Sequence, residues 1–265
     1  MMYDKRVSFA VTDSQDRQVL GMNEHLEQTL VLIKPDALKQ SLTGYILSTL
    51  SEFHTGLRFA GIKVVHVSRL LAEEHYREHK GKSFFEGLVE FITGCYHYPN
   101  DPQNRRVLAF VYSGLDAIQK MRGIAGPTNP HQARDERPGT IRSLGTVVQL
   151  HDENGKVVGD RFDNLIHASD SAQSAEREIK LWFKPNDIPP HIRLFPTEQC
   201  DQLYYYKEDH LFTRRIEGSI CLLAPGDIAW KSDVETLNTI EQGYPTERCL
   251  ASVAAKYLIN ELEEE

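Results

Sequence analysis

Cysteine is scarce in this chain and has no pairing pattern. Cys95, Cys200, Cys221 and Cys249 are scattered over 265 residues without a CxxC spacing. That excludes a disulfide scaffold and a cysteine zinc site, and reads as free thiols in a reducing compartment. An excess of positive charge is also lacking: 30 Lys and Arg stand against 38 Asp and Glu, a net charge of -8. No global field therefore draws the protein to nucleic acid or a membrane surface, and a polyanion site must be a local cluster of Lys and Arg. No apolar run reaches the length of a membrane span. The opening Met1-Met2-Tyr3-Asp4-Lys5-Arg6 leads into mixed polar sequence without a signal-peptide core. Internal repeats and low-complexity tracts are missing too. What is present, 40% hydrophobic and 26% charged residues, is ordinary for a cytosolic globular protein of one large domain or two small ones.

Chemistry gathers at Asn164-Leu165-Ile166-His167-Ala168-Ser169-Asp170-Ser171. A short apolar run ends on a histidine, small polar residues follow, and then a helix pattern begins. Ala172, Ala175, Ile179 and Trp182 recur at helical spacing, with Ser169 or Ser171 placed to cap the first turn. A histidine between a strand end and a helix start has a rigid backbone and suits a nucleophile. By itself, a lone histidine is more often structural than catalytic.

Residues 1–27 are polar apart from Val7 to Val11, an extension or an added strand. Thr29 to Ile33 is a buried strand by composition and delivers Lys34-Pro35-Asp36, where proline stops the ladder. Lys34 at that strand end is either a phosphate contact or a solvated lysine. The spacing then predicts one amphipathic helix with Ile46, Leu47, Leu50, Phe53 and Leu57 on its apolar face. A strand over Ile62 to Leu70, a helix over Ala72 to Lys80 and a second helix from Phe84 to Ile92 follow. Two adjacent phenylalanines at a helix start cannot both face one core, so one is a platform for a flat ligand unless both meet a core or an interface.

Cys95 to Arg106 reads as a surface loop, Val107 to Tyr112 as a third strand, and Leu115 to Arg122 as a short helix. Gly123 to Arg142 reads as a long loop rich in Gly and Pro, either a polyphosphate clamp of Arg and Thr or a solvated segment. Thr146 to Phe162 is a β-hairpin turning at Asp152-Glu153-Asn154-Gly155. Beyond a joint at Pro189-Pro190 lie the aromatic tract Tyr204 to Tyr206, a strand at Ile220 to Leu223, a turn at Pro225-Gly226 and a helix from Glu247 to Glu264.

In order along about Thr29 to Pro190, these motifs resemble those of nucleoside diphosphate kinases. They are Ile33-Lys34-Pro35-Asp36, His75-Tyr76, Phe84-Phe85 with Gly87-Leu88-Val89, Gly114-Leu115, and Thr128-Asn129-Pro130. Pro138-Gly139-Thr140-Ile141-Arg142, the stretch 164–171, Ser174 to Ile179 and Leu181-Trp182-Phe183 complete the series. The resemblance implies an α/β (α+β) fold: a ferredoxin-like antiparallel sheet flanked by helices, here with an added β-hairpin and a C-terminal extension. It implies three parts: 1–27 as an N-terminal extension, 28–190 as the kinase domain, and 191–265 as an extension of unassigned role. It also implies ping-pong transfer of the γ-phosphoryl from a nucleoside triphosphate to a nucleoside diphosphate, with His167 as nucleophile.

Carried over by motif, Lys34, Arg122 and Arg142 face the phosphates, Thr128 contacts one of them, and Tyr76 lies beside the nucleophile. Asn164 binds the ribose and Phe84 stacks on the base. Glu178 holds the second imidazole nitrogen, Ser169 supports it, and His75 is a further phosphate contact. Magnesium is expected on the nucleotide, with no protein ligand. A cytoplasmic homo-oligomer, tetramer or hexamer, is expected, without nucleic-acid or membrane partners. The alternative from another class is a nucleotide-binding regulator or scaffold with little turnover. Ala168 replaces the glycine usual after the histidine, which matters if that position needs a positive φ. Insertions are expected near Cys95 to Arg106 and His151 to Asp160.

Overall fold

The computed structural model describes residues 26–258; Val7 to Val11 and the end of the expected C-terminal helix lie outside them. Strand β1 (Leu26–Ile33) runs through the centre of a four-stranded sheet. β3 (Val107–Leu115) lies on one side of it and β6 (Ile166–Ala168) on the other, and β2 (Arg58–Val65) flanks β3. All three pairings are antiparallel, giving the order β2-β3-β1-β6, the ferredoxin-like arrangement. Alternation along β1 splits the core into two layers. Leu30 and Leu32 face helices α4 (Arg69–His75), α5 (Phe85–Thr93) and α8 (Ala172–Trp182). Val31 and Ile33 face α2 (Thr43–Thr49) and α6 (Ala117–Ala125), with the short α1 (Pro35–Lys39) at the strand end.

The single amphipathic helix expected through Leu57 is broken. α2 stops at Thr49 and α3 (Glu52–Thr55) restarts with the Ser51 side chain accepting from the His54 amide. Ile46, Leu50 and Leu57 reach the core, whereas Phe53 is 93% exposed. The second strand begins and ends earlier than its alternation suggests, and α4 likewise stops at His75, followed by a 3-10 turn over Arg77–His79. The presumed loop 123–142 contains α7 (Pro130–Glu136), capped by Asn129 with Pro130 in the first turn, and a 3-10 turn at Ile141–Leu144. Asn-Pro is a helix-start signal hidden by the surrounding Gly and Pro. The hairpin, β4 (Thr146–His151) and β5 (Val157–Asp163), forms as expected, with Asp152 accepting from the Asn154 and Lys156 amides.

Beyond the kinase-like segment, five short strands join α9 (Lys231–Glu241) and α10 (Leu250–Ala254) around Tyr204, Leu222, Leu237 and Val253. α9 has no counterpart in the sequence reading. The closing helix spans only Leu250–Ala254 before a 3-10 turn at Ala255–Tyr257, so Glu247 lies outside it. Trp230 Nε1 donates to the Phe183 carbonyl at 2.7 Å, and Ala255 enters the core of the α8 layer. Buried Lys256 pairs with buried Asp233 at 2.9 Å.

Candidate active site

The register of β1 and β6 aims the central histidine. His167 lies opposite Leu32, while Ile166 and Ala168 lie opposite Ile33 and Val31. Opposed residues share a face, so His167 projects to the Leu32 side, toward α4 and α8, and its neighbours anchor the strand on the other side. Ala168 is ordinary strand, and the positive φ belongs to Leu165 at 72°. A left-handed leucine is strained, and two bonds hold it: Lys34 N donates to the Leu165 carbonyl at 2.9 Å, and Leu165 N donates to Asp36 Oδ2 at 2.7 Å. Asp36 is fully buried.

α8 starts at Ser171, whose side chain accepts from the Ser174 amide, so Ser171 rather than Ser169 is its cap. One face of the helix then brings Glu178 to the histidine. His167 Nε2 donates to Glu178 Oε2 at 2.8 Å, and Ser169 Oγ donates to the same oxygen at 2.7 Å. Burial alone would raise the Glu178 carboxyl. The pairing with His167 and the Ser169 hydrogen bond outweigh it and bring the pKa to about 2. Committing Nε2–H to Glu178 leaves the lone pair of the neutral imidazole on Nδ1.

His75, buried at the end of α4, packs edge-on against His167 with ring centres 4.7 Å apart, and its Nδ1 accepts from Trp182 Nε1 at 3.2 Å. Burial, aided by the nearby His167, lowers its pKa to about 3, so His75 is a neutral imidazole with its proton on Nε2. Tyr76 adjoins it; desolvation raises its phenol pKa, keeping it a donor, and Glu178, Asp36 and Arg142 are its electrostatic neighbours.

Cations lie near this group, Arg142 as an electrostatic neighbour of Tyr76 and of Lys34. Lys34 is buried, which removes the solvated reading; its Nζ donates to Asn164 Oδ1 and lies 4.3 Å from the centre of the Phe91 ring. Burial lowers its pKa to about 8, with Asp36 and Asp163 pulling upward and Arg142 downward. Arg142 is also buried and donates to the carbonyls of Gly126 at 2.9 Å and Ile166 at 3.1 Å. Burial and its neighbour Arg122 lower its pKa to about 10. Asn164 Nδ2 donates to the Thr128 carbonyl at 2.8 Å, tying the loop before α7 to the strand that carries the histidine. Phe84 is exposed at the start of α5 and Phe85 packs into the core, so the two rings divide as expected.

The first insertion meets the end of β5 beside the site: His97 Nε2 lies 3.1 Å from Asp163 Oδ2, and Arg161 stacks over Tyr96. Asp36, Leu165, Phe91, Trp182 and Arg177 were not singled out as site residues. Asp36, Leu165, Arg177 and Trp182 each lie in one of the motifs named above, which was their signal; Phe91 had none.

Among the described residues, His75, His167 and Glu178 have metal-like spacing. The His75 lone pair is engaged by Trp182, and Glu178 by His167 and Ser169, which suits the trio to proton and charge placement rather than to metal ligation.

A family model described as nucleoside diphosphate kinase matches residues 27–188. A nucleoside diphosphate kinase of Pyrococcus furiosus is 44% identical over 167 residues, 63% of this chain and 88% of the relative. One of Staphylococcus aureus strain JH9 is 40% identical over 163 residues, 62% of this chain and 91% of the relative. The solved Aquifex aeolicus nucleoside diphosphate kinase is 32% identical, with a TM-score of 0.49, covering 62% of this chain and all of that one. The family match spans every pocket residue described above, and the chain belongs to the nucleoside diphosphate kinase family, as an enzyme of that family.

Proposed function

We propose that this nucleoside diphosphate kinase moves the γ-phosphoryl of a nucleoside triphosphate to a nucleoside diphosphate through a phosphohistidine at His167. The hydrogen bond from His167 Nε2 to Glu178 carries the reading, because it frees Nδ1 for attack. Nδ1 bonds to the γ-phosphorus as the bond to the bridging oxygen breaks. The diphosphate leaves with that oxygen's electron pair, and the imidazole gains positive charge. Glu178 stabilises that charge, and the second nucleoside diphosphate reverses the step.

Lys34, Arg122 and Arg142 compensate the phosphate charge, with Thr128 a further contact. Tyr76 donates beside the nucleophile, Asn164 meets the ribose, and Phe84 offers a stacking face that reads no base edges. The site carboxylates Asp36, Asp163 and Glu178 are each engaged by protein donors. That fits magnesium held by the nucleotide and water, where it screens phosphate charge. A nucleotide-binding regulator without turnover is not favoured: the nucleophile, its carboxylate and the three cations are all retained.

The same reading divides the chain into 1–27, a kinase domain at 28–190 and an extension at 191–265, in a cytoplasmic protein. No helix among the described residues is long and apolar enough to cross a membrane. A homo-oligomer, tetramer or hexamer, is supported by the outer strand β2 with exposed Ile62 and Val64, and by exposed Phe53. The activity is tested by following GTP formation from ATP and GDP. Parallel double-reciprocal lines and complete loss in His167→Ala are expected. Intersecting lines, or turnover that survives the substitution, overturn the relay.

A further inference from the structure

A cleft of about 400 Å³ lies where the extension meets the kinase-like segment, and none of Lys34, Arg122, Arg142 and His167 lines it. The ends of α4 and the outer face of α8 form one side, and Ser232, Arg248 and Ser252 of the extension form the other. Four cations line it: Arg77, Arg177, Lys180 and Arg248. Lys180 is paired with Glu176, and Arg248 donates to Ser232 and forms an ion pair with Asp233 at 2.9 Å. Asp233 already serves buried Lys256 at 2.9 Å, so one carboxylate answers two cations. Glu74 accepts from Ser252. Arg77 is exposed and has no side-chain partner among the described residues. Arg177 Nε is buried without a hydrogen bond, and Glu78 Oε1 lies 4.0 Å from it, beyond hydrogen-bond range. An uncommitted guanidinium in a cleft lined by three further cations is a place where an anion gains more than water does.

Arg177 also faces the reaction centre. Its Nη2 lies 3.6 Å from Glu178 Oε1, and Nη1 and Nη2 donate to the carbonyls of Glu74 and His75 at 3.2 and 3.4 Å. We propose that this cleft is a regulatory site for a small polyanion, a metabolite bearing carboxylates or phosphates, and that Arg177 transmits its occupancy to Glu178. The binding half stands on the cleft; the regulatory half rests on the phosphohistidine reading. An anion in the cleft attracts the Arg177 guanidinium away from Glu178 and adds negative potential behind it. Both effects favour the cationic phosphoimidazole, so phosphorylation of His167 speeds up.

The test is calorimetric titration of the full chain with tricarballylate, and in parallel with inorganic phosphate, with the active site saturated by ADP. Saturable binding is expected, weakened about tenfold by Arg77→Glu and tightened by Glu247→Lys, since both positions are exposed and line the cleft. The preferred probe identifies carboxylate or phosphate as the chemistry. Absence of binding to both, or binding indifferent to both substitutions, overturns the site. Single-turnover labelling with γ-labelled ATP at saturating probe is then expected to run about threefold faster. An unchanged rate with the cleft filled overturns the regulatory half. Label absent with and without probe would instead refute the phosphohistidine reading and leave the binding result standing.

Discussion

Replacing Glu178 by glutamine removes one charge while keeping the size and an acceptor for His167. At the 2.8 Å separation of Nε2 and Oε2, two unit charges attract by about 6 kcal/mol at an effective dielectric of about 20. The His167 side chain is 23% exposed, so water takes part of that, and the retained hydrogen bond takes more. A net loss of about 3 kcal/mol remains for the step that places positive charge on the imidazole, or ~100-fold in rate. Ser169→Ala removes one neutral donor from the same carboxylate and should cost about tenfold. Rapid-quench labelling with γ-labelled ATP, stopped in alkali, measures the phosphorylation step without product release. Glu178→Gln within threefold of the parent rate would refute the assignment of Glu178 as the charge partner. The carboxyl also carries a stability signature. Its folded pKa of about 2 lies below the ordinary 4.5, so its contribution is full above pH 4.5 and is lost as pH falls toward 2. The stability gap between the parent and Glu178→Gln should therefore narrow over that window.

Lys34 predicts the alkaline limb. Its charge meets phosphate, and its pKa is lowered to about 8, so kcat/KM should fall as pH rises through about 8; a bound phosphate restores the proton, so kcat should hold to higher pH. The linkage to folding has the opposite sign: the unfolded lysine holds its proton to 10.5, so this group's contribution to stability increases from pH 8 to 10.5. A flat kcat/KM profile to pH 10 would contradict the assignment. Asp36→Ala leaves the Leu165 amide unpaired in the core and should lower stability by about 1–3 kcal/mol in urea unfolding, with activity falling further than Asp36→Asn causes. Gly126→Ala drives a Cβ into Thr140 Oγ1 at a φ of 83°; because the Gly126 carbonyl anchors Arg142, KM for ATP should rise more than kcat falls.

The central sheet and the nucleophile were legible because their signals are dense. β1 is buried on both faces, so Thr29 to Ile33 reads as an unbroken apolar run. The Asn154-Gly155 turn fixes the hairpin, and the helix after Ser171 repeats its apolar residues at one spacing. Phe84 and Phe85 divided between surface and core because a helix start cannot turn both inward. Other parts depend on distant partners. The helix break at Leu50 is invisible in a pattern that continues to Phe53, and only the structure shows Phe53 in solvent. α9 offers just Val234, Leu237 and Ile240 to mark it. The sequence drew attention to Ala168 for a positive φ, yet the left-handed residue is Leu165, held by Asp36 from 129 positions away. The neutrality of His75 likewise depends on Trp182, 107 positions away.

The most direct measurement is the site and chemistry of the phosphoenzyme. The full chain is phosphorylated with ATP and magnesium, its modified peptide located by mass spectrometry, and the phosphorus–proton couplings read by NMR in alkali. A single phosphoryl on His167 Nδ1, discharged by GDP as GTP, is the expected result. A phosphoryl on Nε2, on His75 or on any other residue would contradict the relay built on the Glu178 hydrogen bond.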